Sequence, residues 1–160
     1  MRLNINKIAA LEKEIEELDA KLEEIYKSDR DKEFGDFYRA HRNELKEIED
    51  QIEAKEREIE IIRRTNVNVG DGISMSPWTD WKAFTVIARK DTPKGFTLTV
   101  QRDKAILTDG NCMGDSQAYI FERDPEGYTR TIRWNPRSNC FSADGYKVCL
   151  GRHEYYDPHF

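Results

Sequence analysis

The sequence predicts an α+β protein in which an N-terminal antiparallel, coiled-coil-like helical hairpin precedes a small antiparallel β domain. Residues 1–66 place apolar side chains at three- and four-residue spacing, which is typical of a coiled-coil seam. Residues 67–160 alternate apolar and polar side chains in short runs between turn signals, which is typical of antiparallel strands. We therefore expect two domains, with 1–66 as an oligomerisation arm and 67–160 as a ligand-binding β domain.

The first helix is predicted to run from about Asn4 to Lys27. Glu and Lys occupy most positions outside its narrow apolar seam. The run SDRDKEFGD then interrupts the pattern with turn-forming residues. The seam consists of Ile8, Leu11, Ile15, Leu18, Leu22 and Ile25.

The same period resumes in a second helix of similar length that ends near Arg64, so the two helices should fold back as a hairpin. Such a hairpin buries little by itself, and we expect it to self-associate into a homo-oligomer, a dimer or a hexamer. The alternative is an intramolecular hairpin that rests on its own domain. The second seam is predicted at Tyr38, His41, Leu45, Ile48, Ile52, Lys55, Ile59 and Ile62.

Turn signals divide the second half into about six strands. VGDG opens the region, and DTPKG, DGN, DPEG and ADG separate the apolar runs that follow. No helical pattern lies between these runs, so we expect an antiparallel meander or a small, partly open barrel. The strand–loop–strand–turn–strand rhythm of its first part is that of an SH3-like barrel.

The charge distribution argues against duplex DNA as a partner. Residues 1–66 hold 14 Lys and Arg against 19 Asp and Glu, whereas residues 67–160 hold 12 of each and all three Trp. A nonspecific DNA-binding domain would show a basic excess. The chain also has no run of about 18 apolar residues and no apolar signal region at its start. We therefore expect a cytoplasmic protein with no membrane partner.

The cysteine pattern argues against a disulfide framework or a structural metal. Cys112, Cys140 and Cys149 are odd in number and widely spaced. His153 completes a conceivable set of four ligands, but no C-x-x-C pair supports a zinc site. We expect free thiols, no metal and no cofactor.

Arginines end several of the apolar series. In GFTLTVQRDKA the alternating positions lead from Phe96 to Arg102, and Val148 and Leu150 lead by the same step to Arg152. A buried, unpaired guanidinium costs too much to keep. Each arginine must therefore be paired, lie at the rim of the sheet with its head group in water, or bind an anion from outside.

A third arginine, Arg130, lies on the same predicted face as Tyr128, Ile132 and Trp134. Guanidinium forks suit phosphate oxygens and aromatic faces stack on purines, so Arg102, Arg130 and Arg152 predict a nucleotide site. The alternative is that each arginine pairs with a carboxylate of its own chain. The candidate carboxylates are Asp91, Asp103, Glu122 and Glu154.

Three further residues complete the predicted ligand site. Trp78 lies in a loop and is either a lid over the open end of the barrel or a stacking platform. Phe121 is a second stacking candidate, although its alternation with Tyr119 is more typical of a core. Asn111 follows a DG turn and is primarily a turn residue. No Gly-rich phosphate loop, nucleophile elbow or metal-ligand pair is present, so a binding protein is favoured over an enzyme.

The stretches VNVGDGISMSPWTDWKAFTVIARK, TLTVQRDKAI, SQAYIFERDPEG and LGRHEYYDPHF resemble the phage-encoded anti-Thoeris signal sponges, the first type of Thoeris anti-defence proteins. The resemblance spans residues 67–160. It implies helices ahead of a β-rich domain and a non-enzymatic protein that captures glycocyclic ADP-ribose signals made by a bacterial TIR immune protein. Some members of that family are hexamers that also hold cyclic oligonucleotides at separate sites.

The residues and the resemblance together predict a sponge that acts in the host bacterial cytoplasm and binds a cyclic ADP-ribose-type nucleotide without cleaving it. One alternative is an SH3-like interaction module on a coiled-coil arm that inhibits a host protein by direct binding. The other is an enzyme that hydrolyses the signal.

Overall fold

The computed structural model describes residues 2–28, 34–111 and 116–157. The chain divides into two compact units, 1–66 and 67–160. Among these described residues, two helices belong to the first unit and eight strands to the second, which confirms the α+β fold class. The helices are α1 (Arg2–Ser28) and α2 (Phe34–Thr65), and the strands are β1 (Gly72–Ser76), β2 (Lys82–Thr92), β3 (Gly95–Arg102), β4 (Lys104–Gly110), β5 (Gln117–Glu122), β6 (Thr129–Asn135), β7 (Cys140–Ser142) and β8 (Lys147–Leu150).

The two helices pack antiparallel through the predicted seam. The cross-helix ion pairs include Lys7–Glu58, with Nζ and Oε1 2.7 Å apart, and the seam residue Lys55 pairs with Glu14. Residues near the start of α1 therefore meet residues near the end of α2, as an antiparallel hairpin requires. The apolar seam residues that are buried are Leu11, Leu18, Leu45, Ile48 and Ile59.

The start of the second helix differs from the prediction. Helix α2 begins at Phe34, and its first seam residue is Phe37, which is 6% exposed, whereas Tyr38 is 50% exposed. Both positions fit a seam that continues through His41, because they precede it by four and three residues. Ring contacts select Phe37: its centroid lies 5.4 Å from that of Tyr26 on α1 and 5.0 Å from that of His41.

Six strands form one antiparallel sheet in the order β7-β6-β3-β2-β1-β8. The two edge strands, β7 and β8, lie close together, so the sheet is nearly closed. A tight turn joins them, in which Tyr146 N donates to Ala143 O at 3.0 Å and both Asp144 and Gly145 have positive φ angles, 48° and 87°. Two positive φ angles are typical of the turns that suit the twist of antiparallel strands. The partly open barrel is therefore confirmed.

Strands β4 and β5 leave this sheet and, within the described part of the chain, form a separate two-stranded sheet. The connectivity is therefore not a simple meander, because β3 pairs with β6 and β1 pairs with β8. The described chain has eight strands where about six were predicted. Strand β7, which has three residues, is too short to show an alternating pattern.

Apolar side chains of four adjacent strands fill the barrel. Strand β2 bends at a bulge between Val86 and Ala88, which helps the sheet to curve. The largest fully buried apolar side chains are Ile73, Met75, Phe84, Val86, Leu98, Val100 and Ile132.

One end of the barrel gathers the strand termini that carry Arg102 and Arg130. Here β1 ends at Ser76, β2 begins at Lys82, β3 ends at Arg102 and β6 begins at Thr129. The registers Phe84↔Arg102 and Gln101↔Thr129 place these termini side by side. We call this the Arg102 end of the barrel.

Replacement of Leu18 by Asp should destabilise the helical unit by about 3 kcal/mol or more, because it puts a charge into a packed seam. The neighbouring change Glu17→Ala removes an exposed side chain and should stay within about 0.5 kcal/mol. Chemical denaturation followed by far-UV circular dichroism measures both. Equal transition midpoints would contradict the seam.

Candidate functional site

The centre of the Arg102 end is a buried carboxylate, Asp103, which directly follows β3 and is 2% exposed. Thr85 Oγ1 donates to its two oxygens at 2.8 and 2.7 Å. Arg152 Nε donates to Oδ2 at 3.0 Å, and Arg123 Nη1 donates to Oδ1 at 3.0 Å. A buried carboxylate without partners would cost several kcal/mol, so these donors make its charge tolerable.

A second ion pair lies beside it. Arg102 Nη2 donates to Glu154 Oε1 at 2.5 Å, and the two side chains are only 18% and 15% exposed. Arg102 Nη1 donates to the carbonyl oxygens of Ala83 and Asp103 at 2.8 and 2.7 Å. Glu154 Oε2 in turn accepts from Ala83 N at 2.9 Å. Of the alternatives that the sequence left open for Arg102, the geometry favours the pair with a carboxylate of its own chain.

Arg152 is held in the same way. Besides Asp103, its Nη2 reaches Thr85 Oγ1 at 2.7 Å and the carbonyl oxygen of Gly70 at 3.3 Å. A Cβ at Gly72 would lie 2.6 Å from Arg152 Cγ, so a side chain there would displace the arginine. This close approach is a physical reason for the second glycine of VGDG.

These residues form one cluster, which we call the Asp103 network. It joins β2 and β3 to the segments that follow β5 and β8. Its three guanidinium groups outnumber its two carboxylates, so its formal charge is positive. The Asp103 network consists of Thr85, Arg102, Asp103, Arg123, Arg152 and Glu154.

Arg130 has different surroundings. It points into the barrel, because it pairs in register with buried Val100, and its guanidinium carbon lies 4.5 Å from the ring centroid of Tyr146 and 5.7 Å from that of Tyr128. Its Nη2 donates to the Tyr146 hydroxyl at 3.0 Å, while its Nε is buried with no hydrogen-bond partner. Within residues 2–28, 34–111 and 116–157, no carboxylate lies within ion-pair distance of this guanidinium.

Two tyrosines thus complete the surroundings of Arg130, and sequence reasoning identified only one of them. Tyr128 is about half exposed and packs its ring edgewise on Phe84, with centroids 5.6 Å apart. Tyr146 was missed, although it begins the alternating series that continues through Val148 to Arg152. Arg130, Tyr128 and Tyr146 are called the Arg130 site below.

The other predicted ligand residues belong to neither of these clusters. Phe121 is on β5 opposite Ala105, in the separate two-stranded sheet, and Asn111 follows β4 in the same hairpin. Trp78 lies in the loop between β1 and β2 and is 84% exposed, so it does not act as a lid packed over the barrel.

Trp78 lines a cleft of about 630 Å³ together with residues of the C-terminal segment. Backbone hydrogen bonds between Trp81 and Tyr155, at 2.8 and 3.0 Å, attach that segment to the start of β2. The lining residues are Pro77, Trp78, Thr79, Asp80, Tyr156 and Asp157, and we call this the Trp78 cleft.

The described part of the chain offers neither a metal-binding cluster nor a membrane-spanning helix. It contains no group of three or more His, Cys, Asp or Glu side chains that could hold a metal ion. Cys140 is a free, exposed thiol, and Cys112 lies outside the described residues. Neither described helix is both long and apolar enough to cross a membrane.

Comparison with known proteins gives no match, whether to protein-family models, to curated proteins or to solved structures. The family resemblance of the sequence therefore stays a prediction.

Removal of either partner of the Arg102–Glu154 pair should destabilise the β domain by about 3 kcal/mol, because the remaining charge stays largely buried and unpaired. The double variant Arg102→Met/Glu154→Gln should cost clearly less than the sum of the single changes. A double-mutant cycle from urea denaturation measures this coupling. If the effects of the two single changes on the free energy of unfolding were additive, the interaction between Arg102 and Glu154 would contribute nothing to stability.

Proposed function

We propose that this protein is a non-enzymatic sponge that binds a cyclic ADP-ribose-type signalling nucleotide, such as a glycocyclic ADP-ribose, and thereby blocks a bacterial Thoeris response. The observation that carries the proposal is the Arg130 site, in which a guanidinium without a carboxylate partner in the described chain lies beside two tyrosine rings. The resemblance of residues 67–160 to anti-Thoeris sponges supports the choice of ligand.

The chemistry of the Arg130 site suits a pyrophosphate-bearing nucleotide. A guanidinium carries five N–H donors, and one nitrogen of Arg130 is used by the Tyr146 hydroxyl. The Nε donor is buried, but the remaining Nη donors match phosphate oxygens, which form short, charge-assisted hydrogen bonds with arginine. The half-exposed ring of Tyr128 offers a face on which an adenine can stack.

The Asp103 network supports the same proposal through its charge rather than through direct contact. Arg102 and Arg152 were predicted to hold phosphates, but both already donate to carboxylates of their own chain. Opening the Arg102 pair would leave Glu154 largely buried without a counter-ion, and opening the Arg152 pair would take one of the side-chain donors away from buried Asp103, so either step is costly. The surplus positive charge of the network still favours an anion at this end of the barrel.

A sponge must bind tightly when the signal is scarce, and sites enclosed by several chains achieve this well. We therefore propose a homo-oligomer that assembles through residues 1–66, with the nucleotide as the main partner. Binding of cyclic oligonucleotides at separate sites is proposed from the resemblance alone. The host bacterial cytoplasm is the compartment in which such a signal is made.

Arg130→Gln should weaken binding of cyclic ADP-ribose about 30-fold, since hydrogen bonds to charged groups contribute about 1.5–3 kcal/mol. Arg133→Gln is the matched control: it removes the same charge from the outward face of the same strand and should leave the affinity unchanged. Arg130→Lys should recover only part of the affinity, because lysine lacks the fork. Calorimetric titration measures all three, and equal affinities for the Gln variants would overturn the Arg130 site.

A sponge should also return its ligand unchanged. After incubation with cyclic ADP-ribose and heat denaturation of the protein, mass spectrometry should recover the intact nucleotide in an amount that matches the occupied sites. Ring-opened product in excess of a protein-free sample would contradict the proposal and identify a hydrolase.

A further inference from the structure

We propose that the Trp78 cleft is a docking site for an extended segment of a partner protein in which arginine or lysine lies next to proline or other apolar residues. The inference is independent of the nucleotide proposal, because the cleft shares no residue with the Arg130 site. It rests on the aromatic wall of the cleft, on its charge and on its exposure.

The wall of the cleft is apolar and aromatic. Pro77 and Trp78 come from the β1–β2 loop and Tyr156 from the segment after β8, and Trp78 and Tyr156 are 84% and 45% exposed. Trp and Tyr dominate the binding energy of protein interfaces because they bury a large area at little entropic cost. A tryptophan this exposed is therefore a strong candidate for an interface anchor.

The wall is held together by polar contacts below it. Asp157 N donates to Asp80 Oδ1 at 2.8 Å, and Tyr156 N donates to Gln117 Oε1 at 3.0 Å. Gln117 Nε2 returns a hydrogen bond to Tyr156 O at 2.7 Å. The loop and the C-terminal segment are thus fixed to each other and to β5, so the cleft exists before any partner binds.

The charge of the cleft selects a cation. Asp80 and Asp157 both line it, whereas none of its described lining residues is Lys, Arg or His. The phosphates of a nucleotide would be repelled here, which separates Trp78 from its predicted role as a base-stacking residue. Arginine or lysine from a partner complements both the carboxylates and the aromatic faces, which attract cations.

The exposure of the cleft favours a protein segment over a small molecule. Sites for small ligands bury most of the ligand surface, but a wall whose main ring is 84% exposed cannot enclose one. An extended segment covers such a wall along its length. Proline-rich segments bind aromatic grooves in this way because their extended conformation is already formed in solution and costs little entropy.

The test uses the full-length protein and three series of short fluorescent peptides, read by fluorescence anisotropy. The first series places arginine beside a pair of prolines that flank one apolar residue. The second replaces arginine by glutamate, and the third replaces the prolines by glycine. We expect peptides of the first series to bind at least tenfold more tightly than their counterparts in the other two.

Variants then locate the binding. Trp78→Ala should weaken it at least tenfold, and Asp80→Asn about fivefold at low salt, because the amide keeps the Oδ1 acceptor for Asp157 N but loses the charge. Asp124→Asn is the matched control, since Asp124 Oδ1 likewise accepts a backbone N–H, that of Glu126 at 3.0 Å, outside the cleft. This variant should bind the peptides as the unchanged protein does.

Four results would overturn the proposal. The first is that the peptides of the first series bind no more tightly than the others, and the second is that the Trp78→Ala variant binds them as tightly as the unchanged protein. The third is that argininamide displaces the peptide at the same concentration as unlabelled peptide does. The fourth is that the peptides bind only after residues 158–160 have been removed. The third would assign the cleft to a small cation, and the fourth would assign it to the chain's own residues.

Discussion

The Arg102 end of the barrel depends on the burial of one carboxylate. Asp103 is almost wholly enclosed at the point where β3 ends and the chain leaves for the β4–β5 hairpin. Taking a carboxylate out of water costs several kcal/mol unless donors surround it. Those donors come from Thr85, Arg123 and Arg152, which belong to distant parts of the sequence. A single charge therefore ties β2, the return from the hairpin and the segment after β8 to one place.

The same constraint divides the arginines by role. Arginines close to Asp103 and Glu154 are used to neutralise charges that folding has buried, and they are poorly placed to exchange those partners for a ligand. Arg130 lies on the neighbouring strand beside tyrosine rings instead, so its charge remains available. The Trp78 cleft differs from both, because its described charged lining residues are Asp80 and Asp157. Our two proposals therefore place anion recognition and cation recognition on different surfaces of one small barrel.

Local sequence patterns predicted much of this arrangement. The seam predicted the hairpin, and the alternation in β3 and β6 correctly predicted that Arg102 and Arg130 continue buried faces. Local patterns did not predict the seam residue correctly where two positions fitted the helical period equally well. Tyr38 and Phe37 both fit the helical period, and only the packing of Phe37 against Tyr26 distinguishes them. The departure of β4 and β5 from the main sheet was likewise hidden, because alternation identifies a strand and not its neighbour.

The sequence by itself determined the two-part α+β organisation, the antiparallel sense of both parts and the faces on which Arg102 and Arg130 lie, because these follow from periodicity and turn residues within short stretches. Only the tertiary structure decided which carboxylate meets which guanidinium. Asp103 meets Arg152 across 49 residues and Arg102 meets Glu154 across 52. These pairs form because closure of the barrel brings residues that are distant in sequence close together in space. The physical reason is that a buried charge must pair with the donors nearest to it in space, whatever their separation along the chain.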